Sequence, residues 1–156
     1  MRKLSLLSAI VVGLMGFGAA AASATPPVVV GGDEVELDLS FPAGAVCAFP
    51  VDVHLEFKTT TRTFVDANGV PTRSISTGRI HAWETNVTTN TTLFSSISGP
   101  SFFDASGALI MGTGSWSGIQ LQDGTWIHAN GLITFDANVL VVAVRGHVEP
   151  LCDALA

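Results

Sequence analysis

Four histidines are the side chains best suited to chemistry near neutral pH: His54, His81, His128 and His147. An imidazole changes charge close to neutrality and can bind a metal, move a proton or orient a ligand. Each of the four lies in a stretch of alternating apolar and polar residues, so each is expected on a strand. Strand alternation then puts His81 with Trp83, Trp126 with His128, and Arg145 with His147 on common faces. If those faces lined one lumen, His81, Trp83, Trp126, His128, Arg145 and His147 would form a polar and aromatic pocket for a small, partly apolar ligand. The competing reading is four isolated histidines and two tryptophans that pack a core. No pair of histidines has the close spacing of a metal site, so neither a metal nor any other cofactor is expected.

Motifs for covalent chemistry fail on inspection. Gly114-Ser115-Trp116-Ser117-Gly118 has the outline of a hydrolase elbow, but its central residue is Trp116. Gly112-Thr113-Gly114 begins a dinucleotide fingerprint, then lacks the third glycine and any surrounding strand–helix–strand unit. These glycines suit tight packing or a bend in a barrel strand. Asp52 and Glu56 share a strand face, as exposed charges commonly do, and spacing alone does not make them a glycosidase pair. Asn86-Val87-Thr88 and Asn90-Thr91-Thr92 match the glycosylation pattern, or are polar residues of a strand and a loop. No catalytic residue is assigned.

The elements that must carry these side chains are strands. Val35, Leu37 and Leu39 alternate with Glu34, Glu36 and Asp38, and Val51, Val53, Leu55 and Phe57 alternate with Asp52, His54 and Glu56. Asp66-Ala67-Asn68-Gly69, Asp104-Ala105-Ser106-Gly107 and Asp136-Ala137-Asn138 each read as a turn, with Asp able to bond its own backbone. Asp123-Gly124 predicts a two-residue hairpin in which Leu121 faces Trp126 and Ile119 faces His128. Strand starts are expected near residues 34, 51, 62, 71, 79, 90, 108, 115, 125, 132 and 139, some of them merging. A terminal turn is expected from Cys152 to Ala156. Short successive hairpins favour an all-β fold, an antiparallel up-and-down β-barrel that closes its own edges, with a β-sandwich as the alternative.

The start of the chain reads as an address. Arg2 and Lys3 precede an apolar stretch from Leu4 to Ala22, and Ala22-Ser23-Ala24 supplies small residues for cleavage before Thr25. Residues 1–24 are therefore expected to be a signal peptide, 25–32 an extended N-terminal arm, and 33–156 a single all-β domain that is secreted and keeps no membrane span after cleavage. Removing residues 1–24 takes away Arg2 and Lys3 and no acid, so the formal charge of −6 becomes −8. A surface so acidic excludes nucleic acid as a partner. Asp33, Glu34, Glu36 and Asp38 suit a solvated strand face better than a calcium site. The two cysteines, Cys47 and Cys152, stand near the two ends of the mature domain, as a disulfide in an exported protein would.

Cys47-Ala48-Phe49-Pro50-Val51, Ile97-Ser98-Gly99-Pro100, and Val144-Arg145-Gly146-His147-Val148 with Leu151-Cys152 resemble a group of small secreted, β-rich actinobacterial proteins without an assigned activity. That resemblance also implies that the two cysteines pair, and it carries no catalytic residue. A fainter likeness, through Gly112-Thr113-Gly114 and the hairpin order, is to lipocalin-like and allene oxide cyclase-like barrels. It concerns fold only. Three functions follow as expectations. The first is a secreted module that holds a small ligand in the barrel. The second is a structural or interaction protein of the cell envelope, and the weakest is an enzyme of cyclase or isomerase type.

Overall fold

Alternating sequence becomes alternating burial over residues 82–86, whereas Val35, Leu37 and Leu39 stay exposed. The computed structural model describes residues 25–156, and the expected signal peptide lies outside them. The strands are β1 (Val28–Gly31), β2 (Val35–Phe41), β3 (Val51–Val65), β4 (Pro71–Asn86), β5 (Thr91–Ser98), β6 (Ser101–Phe103), β7 (Leu109–Gln120), β8 (Trp126–Phe135) and β9 (Val141–Pro150). One helical turn, α1 (Leu151–Ala154), ends the chain where a terminal turn was expected.

All the strand pairings are antiparallel. The main order is β1-β3-β4-β5-β7-β8-β9, with β2 also on β3 and β6 on both β4 and β7. The pairs β4–β5, β5–β7, β7–β6 and β6–β4 close a ring, so the antiparallel barrel is present. It extends through β3, β1 and β2 on one side and through β8 and β9 on the other. Gly99 lets the ring turn its corner. Its φ is +120°, and an added Cβ would stand 1.9 Å from the Thr113 carbonyl oxygen, so only glycine fits there.

Two apolar clusters fill the fold. Ile127, Ala129, Ile133, Phe135 and Val141 form one, with Trp116 packed against Phe135 at 5.4 Å between ring centroids. Cys47, Val51, Leu151 and Leu155 form the other, supported by Trp126 and Leu93. Cys47 in the β2–β3 connection is bonded to Cys152 in α1. The bridge thus ties a connection beside one margin of the sheet to the turn that follows the other margin, which hydrogen bonds between β2 and β9 do not join among the described residues.

One expectation needs correction and two are refined. Starts expected near residues 62, 79, 115 and 132 fall inside β3, β4, β7 and β8, which is the merging the pattern allowed for. The arm at 25–32 is extended, but Val28–Gly31 of it is a paired strand against Thr60–Thr63. The hairpin at Asp123-Gly124 has three loop residues: Leu121 donates to the Thr125 carbonyl, and Gly124, at φ +92°, donates back to Leu121. Ile119 therefore pairs with Ile127 and Gln120 with Trp126, one residue away from the expected register.

The same five-residue turn is built four times. In each, the first residue's N–H bonds the fifth residue's carbonyl, and the fourth residue's N–H bonds back to the first: 66–70, 104–108, 121–125 and 136–140. The fourth residue takes positive φ, at Gly69 (+81°), Gly107 (+86°), Gly124 (+92°) and Val139 (+63°). In three of the turns an Asp at the first position accepts two backbone N–H bonds through Oδ1. These bonds hold the carboxyls of Asp66 and Asp136 below the usual range, and the Ser106 hydroxyl, ahead of the backbone bonds, does so for Asp104.

Candidate functional site

β4 carries Ile80, Ala82, Glu84 and Asn86 on one face, the face that alternation buries. Glu84 is 2% exposed. It sits across from Val53 on β3 and Leu93 on β5, so its neighbours along the sheet are hydrocarbon. The polar relief comes from β7. A bulge between Trp116 and Ile119 sets Ser117 and Gly118 against His128 alone, and it presents the Ser117 hydroxyl, which donates to Glu84 Oε1 at 2.5 Å. Among the described residues Glu84 Oε2 has no hydrogen-bond partner. Burial pushes the carboxyl above its ordinary range, and the Ser117 hydroxyl draws it partly back.

Glu84 and Ser117 line an otherwise apolar cavity of about 120 Å³. Leu39 and Phe41 come from β2, and Val51, Val53 and Leu55 from β3. Val46 of the β2–β3 connection, Trp126 of β8 and Leu151 of α1 complete it. Leu39 is 37% exposed, so the cavity reaches solvent along β2. The disulfide stands beside it, holding Val46 and Leu151 in place through the loop and helix that bear them. An apolar cavity of roughly 150 Å³ accepts benzene, so this one suits a small ligand or one end of a longer one.

The six side chains expected to share a lumen lie in separate places. His81 and Trp83 are on the opposite face of β4 from Glu84. There Trp83 lies between His54 (5.3 Å between centroids) and Phe94 (5.1 Å), tilted against both, with His81 edge-on at 5.8 Å. Asp38 accepts from His54 Nδ1 at 2.7 Å and raises its pKa. Trp126 lines the cavity. His128, two residues on, sits between the hydroxyls of Ser95 (3.4 Å) and Ser115 (3.3 Å). Arg145 and His147 are exposed on β9. Of the six, Trp126 alone lines the cavity.

Two further sequence features are settled by burial. Asn86 is 2% exposed. Its amide donates to the Leu155 carbonyl and its Oδ1 accepts from Thr88, so in the folded domain it is a structural side chain and no glycan acceptor. Gly112 lies under the Trp116 indole, where a Cβ would come within 2.3 Å of the ring. Glu84 escaped the sequence reading. The signal was present: Ile80, Ala82, Glu84 and Asn86 share one parity, and a carboxylate on an apolar face is a candidate for function.

Among the described residues no group of three or more His, Cys, Asp or Glu is placed to hold a metal ion, and no helix is long and apolar enough to cross a membrane. Compared with known proteins, the chain matches no family model, no curated protein and no solved structure.

Proposed function

We propose that this is a secreted small-ligand-binding module whose ligand enters the cavity beside β2 and is anchored at Glu84. The observation that carries the reading is the buried Glu84 carboxyl, one oxygen of it unpartnered among the described residues, in the lining of an apolar cavity. Leaving a buried polar atom unpaired costs about 1–3 kcal/mol. A ligand that supplies the missing hydrogen bond recovers that cost on binding, and its hydrocarbon body gains about 25 cal/mol for each Å² it removes from water. Export is supported by the leader-like segment ahead of Thr25 and by the Cys47–Cys152 bridge, since disulfides persist in oxidising compartments.

Benzene is a suitable first probe, followed by amide and methyl NMR shifts of the mature, oxidised domain. Saturable shifts confined to Val51, Val53, Leu55, Trp126 and Leu151 are expected, and Val53→Phe, which fills the cavity, should abolish them. A domain that shows no saturable shift, or shifts only around Trp83 and Phe94, would overturn the proposal. The second outcome would favour the interaction-protein reading, for which the exposed aromatic row with Phe94 at 51% exposure is the specific observation.

A further inference from the structure

Resting on that reading, we infer that the cavity selects a short apolar molecule with a single neutral oxygen head group, an alcohol, aldehyde or ketone. The Glu84 carboxyl holds that head group by donating a hydrogen bond from Oε2. The geometry argues for this class against the two charged ones. Ser117 already donates to Oε1, so one carboxyl oxygen is left, and the remaining lining is aliphatic apart from Trp126 and Phe41. An ammonium head brings three donors. It would find Oε2 and at most the Ser117 oxygen as acceptors, leaving a donor unpaired in hydrocarbon as well as burying its charge. A carboxylate head would meet no cation in the cavity and would stand against another acid. A neutral oxygen needs one donor, which a protonated carboxyl provides.

The electrostatic surroundings agree. No second titratable side chain lines the cavity. Among those on neighbouring elements, Asp38, Asp52, His54 and Glu56 alternate onto the other face of β2 and β3, and His128 on β8 is engaged by Ser95 and Ser115. Asp153 of α1 is exposed, and β5 and β7 contribute no ionisable residue. Glu84 thus titrates in a nonpolar setting that favours its neutral form, and the raised pKa is consistent with this.

The experiment titrates 2-pentanone, n-pentylamine and benzene into the wild type, Glu84→Gln and Glu84→Leu, at pH values from about 5 to about 8. Thermal unfolding of each variant confirms a folded domain. A ketone oxygen only accepts, so 2-pentanone should bind the wild type more tightly than pentylamine, with affinity falling about tenfold per pH unit above the Glu84 pKa, because only the protonated carboxyl donates. Glu84→Gln keeps a donor and should bind 2-pentanone with no pH dependence. Glu84→Leu should lose the preference for 2-pentanone over benzene. Pentylamine bound more tightly than 2-pentanone by the wild type, with that preference lost in Glu84→Gln, would overturn the inference in favour of an ionised anchor. A 2-pentanone pH slope that persists in Glu84→Gln would overturn it too. Equal affinity for benzene and 2-pentanone in the wild type would defeat the head-group inference while sparing the cavity. Failure of all three probes would defeat the cavity reading itself.

Discussion

Val139 occupies a turn position that the other three copies of the same turn give to glycine, and this makes a paired experiment possible. A β-branched side chain at φ +63° is strained. Left-handed backbone costs an L-residue roughly 1–2 kcal/mol, and a β-branched one belongs at the upper end. Val139→Gly removes that strain. Against the gain stand about 0.7 kcal/mol for the extra freedom of glycine in the unfolded chain and a few tenths for a side chain that is already 51% exposed. The net gain is about 1 kcal/mol. For a domain of 132 residues, an unfolding entropy near 2.1 cal/mol/K per residue turns this into a rise in Tm of about 3–4 °C. Gly69→Val is the mirror experiment. An added Cβ at Gly69 meets nothing within 4 Å, so its cost is conformational alone and Tm should fall by about the same amount. Scanning calorimetry of the two variants beside the wild type measures both. If Val139→Gly fails to raise Tm, or Gly69→Val leaves it unchanged, the claim that the two turns share one backbone is refuted.

Two other perturbations test the frame around the cavity. Cys47→Ala with Cys152→Ala opens a loop spanning 105 residues, and the chain-entropy model puts the loss at about 4.7 kcal/mol. Urea unfolding should show it as a lower midpoint, and a loss below about 1 kcal/mol would mean that packing alone holds the two margins. Stability should also peak at mildly acidic pH. The lowered pKa values of Asp66, Asp104, Asp123 and Asp136 give stability that is present above their unfolded pKa near 3.8 and lost as pH falls through the folded values. Glu84, raised from 4.5, works the other way, and its contribution is lost as pH rises through its folded pKa. Urea midpoints across pH should therefore have a shallower alkaline slope in Glu84→Gln, the remainder belonging to His54, whose raised pKa acts in the same direction, and keep their acid slope. An unchanged alkaline slope in that variant would contradict the assignment.

Much of the fold was legible because period-two patterning and Asp-rich turns are local signals. Val35 to Leu39 and Val51 to Phe57 declared strands, although the apolar side chains of the first stay exposed, and the Asp66, Asp104 and Asp136 turns stand where their residue types placed them. What failed depended on bulges. At 116–119 one extra residue resets which side chains face which, and the third loop residue at 122–124 shifts the β7–β8 register by one. Each moves a face without leaving a mark in composition. The cavity was not legible for a related reason. Its lining comes from β2, β3, β4, β7, β8 and α1, and strand curvature rather than spacing brings them together. The histidines drew attention by chemistry, whereas Glu84 is distinguished only by the company its parity gives it.

The two margins of the sheet are guarded unequally. On β9, Arg145, Glu149 and Pro150 put charge and a missing donor along the edge, which discourages another strand from adding there. On β1, Val28, Val29 and Val30 are each more than half exposed, with Pro26 and Pro27 before them and Asp33, Glu34, Glu36 and Asp38 after. Two copies meeting edge to edge along this margin would bring one acidic run against another, Glu34 and Asp38 being partly offset by Arg79 and His54. The barrier to sheet extension there is thus repulsion between like charges more than the shape of the edge, and salt that shrinks the Debye length to about 3 Å at molar strength removes it. Colloidal stability of the folded domain should therefore fall as ionic strength rises, through side chains that do not line the cavity.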